Sequence, residues 1–126
     1  MKKHIIISTL IIANAISFAQ EKKVEKGNKE YEKYAYSDAI QAYEKVAEKG
    51  YYNTEMLKKL GNAYYFNANF KEAGKWYAKL FETTSENIEP EYYYRYSDCL
   101  KAEENYTTAN QFLDKFSEKA SSDSRA

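Results

Sequence analysis

The chain has 126 residues, with 19 basic and 19 acidic side chains and one cysteine, room for a single modest domain. It carries no net charge and no Lys/Arg cluster free of interleaved Glu, so it lacks the basic face that displaces counterions from nucleic acid or holds a helix on an anionic membrane. One cysteine excludes an intramolecular disulfide, and four glycines with one proline leave little punctuation for strands, so stability has to come from packed helices.

In chain order, Lys2 and Lys3 come first, then mostly apolar residues from Ile5 to Ile16, then Ser17-Phe18-Ala19. A positive region, a short apolar region and small residues at the cleavage positions read as a signal peptide over residues 1–19, cut after Ala19. The stretch is shorter than the about 20 residues a membrane-spanning helix needs. Its removal takes away two lysines and no acid, leaving 17 basic against 19 acidic side chains. On this reading the protein is exported.

From residue 20 onward the chain repeats itself. Gly27-Asn28 recurs as Gly61-Asn62, Tyr36 as Phe70, Ala39 as Ala73 and Tyr43 as Tyr77, each 34 residues later. Tyr106, Ala109 and Leu113 form a third copy, displaced by 36 from Phe70, Ala73 and Tyr77. A fixed period of this length marks stacked supersecondary units, because each unit alone exposes an apolar face that a neighbour must cover. In the second copy Leu57, Leu60, Gly61, Tyr64 and Ala68 share one helical stripe, and Phe70, Ala73, Tyr77 and Leu80 share another, which gives two helices per copy.

Between those stripes Asn69 is placed to cap the second helix, with Glu72 three residues on, and Asn105 holds the same register in the third copy. Ala35, in the first copy, has no capping group, so a weaker start or a cap from Ser37 is expected there. Gly50 is expected to close the first hairpin, with Asn53 or Thr54 capping the next helix. Pro90 suits the first turn of the helix after the longer link from Thr83. Tyr93, Tyr96, Ser97 and Leu100 then reproduce the first stripe. The repeats span about 20–53, 54–87 and 90–120 within a domain over 20–120, and residues 121–126, aperiodic and polar, are expected to be a flexible tail.

Chemistry is sparsely provided for. Cys99, in an apolar-periodic stretch, reads as a small buried hydrophobe. The only histidine is His4, within the proposed leader, so the remainder has no imidazole for general-base work or a zinc site. Glu30, Glu32, Glu44 and Glu48 lie among lysines as a solvated face, and Gly27 and Gly61 are isolated rather than gathered into a phosphate loop. No enzymatic activity, cofactor or metal is expected.

These residues resemble tetratricopeptide (TPR) repeats, helix-turn-helix units built on W-x2-L-G-x2-Y followed by A-x3-F. The second copy matches with Leu57 in place of Trp, then Leu60, Gly61, Tyr64, Ala73 and Tyr77; the third with Tyr93, Tyr96, Ser97, Leu100, Ala109 and Leu113. The first matches at Gly27, Tyr36, Ala39 and Tyr43, while Lys23, Lys26 and Glu30 stand where apolar residues are usual, as suits a terminal repeat. The resemblance implies an all-α, right-handed α-solenoid of three TPR repeats. It further implies that the first helix of each pair lines a concave groove, presenting Asn28 and Tyr31, then Lys58, Asn62 and Tyr65, then Tyr94, Arg95 and Asp98. Asn28 and Asn62, one repeat apart, are placed to hydrogen-bond an extended peptide, and Tyr65 and Tyr94 to add rigid contact area. The Lys/Asn pattern with which some TPR proteins clamp a carboxylate is met only by Asn28 and Arg95; Val24, Lys59 and Glu91 depart from it.

The last helix carries Tyr106, Ala109, Phe112, Leu113 and Phe116, more apolar surface than one neighbouring helix covers, and no polar capping helix follows. Tyr106, Phe112 and Phe116 are therefore expected to dock on a further domain, a partner or a second copy.

A narrower resemblance is carried by Gly61-Asn62-Ala63-Tyr64-Tyr65-Phe66-Asn67, Glu72-Ala73-Gly74-Lys75-Trp76-Tyr77, Tyr92-Tyr93-Tyr94-Arg95-Tyr96 and Asp123-Ser124-Arg125-Ala126, behind an export signal. Together these are similar to the N-terminal region of OmpA-family cell-envelope proteins. That resemblance implies a non-catalytic protein-interaction scaffold in the periplasm, associated with the outer membrane and bound to a protein partner. The alternative reading is a self-contained periplasmic adaptor or chaperone-like protein that captures peptide segments in its groove, and a third is an accessory subunit of an enzyme.

Overall fold

The computed structural model describes residues 18–84 and 87–126. The signal-peptide reading over 1–19 lies, but for its last two residues, outside them. Among the described residues six helices form three hairpins: α1 (18–32) with α2 (Tyr36–Ala47), α3 (Thr54–Phe66) with α4 (Phe70–Thr83), and α5 (Pro90–Ala102) with α6 (Tyr106–Lys119). The chain divides into two compact units, one up to Asn53 and the other from Thr54 to Ala126.

In the first unit α2 buries Ala39, Ala42, Tyr43 and Val46, the i, i+3, i+4, i+7 stripe of an amphipathic helix. In the second unit α4 packs on both α3 and α5, and α5 packs on α6. Leu57, Leu60, Ala63, Ala73, Tyr77, Leu80, Cys99, Ala109 and Phe116 are buried there. Burial pushes the Cys99 thiol up to about 12, so it acts as a core hydrophobe.

The repeated Gly-Asn pair has a steric cause. A Cβ on Gly27 would lie 2.6 Å from Tyr43 Cε1, and one on Gly61 would lie 2.5 Å from Tyr77 Cε1. In each of these hairpins the second helix lays a fully buried tyrosine ring directly on the backbone of the first. Only a residue without a side chain permits that approach.

The turns inside the three hairpins share one geometry. Tyr34, Ala68 and Glu104 have φ of 62°, 59° and 61°, the left-handed conformation that closes a helix. Each is followed by a residue whose amide reaches five positions back: Ala35 to Glu30, Asn69 to Tyr64 and Asn105 to Leu100, at 2.9, 2.9 and 2.8 Å. These are Schellman closures with a non-glycine residue in the strained position. Asn69 and Asn105 then cap α4 and α6, accepting from the amides of Glu72 and Thr108. Ala35 gives α2 no side-chain cap, as expected. Gly50, with φ of 83°, follows the first hairpin, and Pro90 starts α5.

Two expectations about the chain's last third need correction. Phe116 is only 1% exposed and packs on Tyr94. Phe112 packs against Tyr93, Tyr96 and the α4 residue Phe81. Phe116 and much of Phe112 are thus covered inside the unit, because α4 supplies a second neighbour through Phe81, while Tyr106 is 58% exposed. Residues 121–126, expected to be a loose tail, are tied back to α5 through Arg125, which bonds Glu91 with two nitrogens.

Candidate functional site

In the first unit, the Tyr43 hydroxyl donates to Asn28 Oδ1 at 2.6 Å. Tyr31, half-buried, stacks edge-on against Tyr36 with ring centroids 5.5 Å apart. Asn28 therefore braces its own hairpin, a use the groove expectation had not assigned to it.

The equivalent residue of the second unit is the centre of a larger network. Asn62 is 5% exposed. Its Oδ1 accepts from the Tyr77 hydroxyl of α4 at 2.7 Å and from Arg95 Nη1 of α5 at 2.8 Å. Its Nδ2 donates to the Tyr92 hydroxyl of α5 at 3.2 Å. One amide thus ties three helices together, and a buried amide is tolerated there because both its oxygen and its nitrogen find partners.

Arg95 is held between that amide and three rings, with its guanidinium 5.7, 5.0 and 5.8 Å from the centroids of Tyr65, Phe66 and Tyr92. A weakly hydrated planar cation stacks well against such faces. Tyr65 donates to Asp98 Oδ2 at 2.7 Å, and burial, aided by that carboxylate, raises its pKa. Burial likewise raises the pKa of Tyr77, so both hydroxyls remain donors at neutral pH.

Lys58, one turn before Asn62 on α3, is 7% exposed. Its ammonium donates to Glu89 at 2.9 Å and to Glu55 at 3.4 Å, and lies 5.5 Å from the Tyr92 ring. Burial pulls its pKa down, and the two carboxylates more than offset this, leaving it raised. The same contact holds the Glu89 carboxyl below the usual range.

Lys58, Asn62, Tyr65, Arg95 and Asp98, expected along one groove, are thus brought together in the second unit. Side chains of α3 and α5 meet beside α4, Asn62 with Arg95 and Tyr65 with Asp98, while Lys58 is turned to Glu55 and Glu89. Tyr94 is turned to another neighbourhood, against Phe116 and Arg125. Tyr77, Tyr92 and Glu89 belong to the network without having been singled out. Phe66, 45% exposed beside Arg95, was not anticipated as surface either. Among the described residues no group of His, Cys, Asp and Glu could hold a metal ion.

No protein-family model and no curated protein matches the chain. Among solved structures it is similar to PcrH in complex with the chaperone binding region of PopB, with a TM-score of 0.63 and 14% identity over 84% of each chain. This establishes a TPR-like all-α fold of helical hairpins. It also overturns the resemblance to OmpA-family envelope proteins, which no family model supports and which the likeness to PcrH replaces. The exported, periplasmic and outer-membrane placement, read from residues 1–19 and from that resemblance, is corrected by the likeness to PcrH. No helix among the described residues is long and apolar enough to cross a membrane.

Proposed function

We propose that the chain is a non-catalytic, chaperone-like TPR protein that binds a peptide segment of a partner on the face shared by α3 and α5. The observation that carries this reading is the fixed Arg95 guanidinium, bonded to Asn62 and surrounded by Tyr65, Tyr92 and the exposed Phe66. A preset cation next to an open aromatic edge offers a peptide both a hydrogen-bond donor for a carbonyl or carboxylate and an apolar shelf for a side chain. Because the network is already in place, little ordering is left to be done on binding. The similarity to PcrH, whose structure contains a partner's chaperone binding region, supports the same class of role.

Selection from a displayed library of 15-residue peptides tests this. Phe66→Ala is expected to weaken the selected peptides about tenfold, equivalent to ~1.4 kcal/mol, with an unchanged melting curve. Arg95→Ala should weaken them further. Peptides that bind both variants as well as the parent protein would rule this face out.

A further inference from the structure

Residues 120–126 contain no helix, yet one side chain fixes them to the last hairpin. Arg125 Nη1 and Nη2 donate to the two carboxylate oxygens of Glu91 at 3.0 and 2.7 Å. Its guanidinium carbon lies 4.5 Å from the Tyr94 ring centroid and 5.1 Å from that of Phe116. Glu91 and Tyr94 stand one turn apart on α5, and Phe116 joins them from α6. A carboxylate offering both oxygens beside two rings suits a guanidinium in charge, fork geometry and stacking together; an ammonium satisfies the charge alone.

The occupant is shaped as well. Asp123 accepts from the Arg125 backbone amide at 2.9 Å, from Nε at 3.0 Å and from Nη2 at 2.8 Å, which presets the guanidinium for Glu91. The backbone bonds Asp123 to Ala120 and Ala126 to Asp123 are internal to the segment. Lifting residues 121–126 away therefore breaks the Arg125 contacts and leaves the Ala120 amide on Phe116 O at the end of α6.

We propose that Glu91, Tyr94 and Phe116 form an arginine-reading peptide site, kept closed by this chain's own Asp123-Ser124-Arg125 and opened when a partner segment carrying Asp-x-Arg displaces it. The site adjoins the α3–α5 face along α5, where Glu91 Oε1 is 3.6 Å from Arg95 Nε. A tethered competitor acts at an effective concentration of about a millimolar, so it sets a threshold that a partner's segment must exceed.

The test uses the full chain, its Arg125→Ala variant and the synthetic peptide acetyl-Ser-Asp-Ser-Arg-Ala-amide, followed by amide NMR shifts. Saturable shifts at Tyr94 and Phe116 are expected in Arg125→Ala, with apparent affinity weaker by about tenfold or more in the parent chain, where the tether competes. Adding Glu91→Gln to Arg125→Ala should abolish them. Since Glu91 lies in the first turn of α5, a peptide with lysine in place of arginine repeats the test on an unaltered fold and should bind several-fold more weakly. Equal affinity for the parent chain and Arg125→Ala, equal binding of the lysine peptide, or no shift in Arg125→Ala would overturn the proposal. Phe66→Ala should leave this binding intact, which separates its failure from failure at the α3–α5 face.

Discussion

The second hairpin has an internal brace at a register where the third has none. In α3–α4, Gly61 admits the Tyr77 ring and Asn62 accepts its hydroxyl, so the pair joins the two helices of one hairpin. In α5–α6 the corresponding residues are Ser97, Asp98 and Leu113. Leucine offers no hydroxyl, and Asp98 instead receives the Tyr65 hydroxyl from the preceding hairpin. Asn62 also links forward to Tyr92 and Arg95 of α5, so the change of three side chains removes the internal brace and leaves only the link between neighbours. The first hairpin, with Gly27, Asn28 and Tyr43, keeps the internal form.

Gly61→Ala is expected to have the largest effect on stability. The added methyl meets a fully buried ring that has nowhere to move, and overpacking of this kind costs about 2–3 kcal/mol, read as a drop in the urea midpoint. Ser97→Ala, at the same register of the third hairpin, meets no such ring and should cost about 1 kcal/mol, the loss of its hydroxyl bond to the Tyr94 carbonyl. Equal losses at the two positions would remove the distinction.

Removing hydroxyls sharpens it further. Tyr77→Phe leaves Asn62 Oδ1 with one donor fewer in a buried setting and should cost about 1–2 kcal/mol. Tyr65→Phe, at a half-buried link, should cost about 0.5–1 kcal/mol. If Tyr65→Phe proves the more damaging, the weight lies between hairpins and not within them.

Burial raises the pKa of Tyr43 and Tyr77 above the ordinary 10.0. The stability they supply is thus complete below pH 10.0 and is lost above it, where the unfolded chain gains by ionising; each contributes a loss of about 1.4 kcal/mol per pH unit. Leu113 has no hydroxyl to ionise at that register, and in the third hairpin burial raises the pKa of Tyr92 and Tyr96 on α5 instead. Phenolate absorbance followed alongside helicity should show the buried tyrosines ionising only as the helices melt.

At the acid end, Glu89 and Glu91 lie below the ordinary 4.5 through Lys58 and Arg125. Their contribution is present above pH 4.5 and disappears as pH falls through their folded values. Glu89→Gln should flatten that part of the acid melting curve, modestly, since the carboxylate is largely solvated. The smallest effect expected is from Ala68→Gly, where relief of the left-handed strain slightly exceeds the added chain freedom, for a gain of about 0.5 kcal/mol.

The helical hairpins, their caps and the period were legible because stacking imposes the same small and large residues at the same register in each copy. The braces were less so. Asparagine on a helix reads as a surface residue, and only the joint recurrence of Gly-Asn with a tyrosine 15 positions beyond the asparagine could have signalled a bond within the hairpin. Arg125 and Glu91 occur once, without periodicity, so no pattern announced their contact. Tyr92-Tyr93-Tyr94-Arg95-Tyr96, one of the phrases behind the envelope-protein resemblance, turns out to serve packing between helices. Tyr92 bonds Asn62, Tyr93 meets Phe112, Tyr94 meets Phe116 and Tyr96 stacks on Phe81. Such residues report how hairpins pack and are poor markers of a family.

Amide NMR mapping of a selected 15-residue peptide on the uniformly labelled chain addresses the binding face most directly. The account predicts the largest shifts at Phe66, Tyr92 and Arg95, on the open edge of the Asn62 network. Shifts confined to the first unit or to α6, with those three residues unmoved, would contradict it.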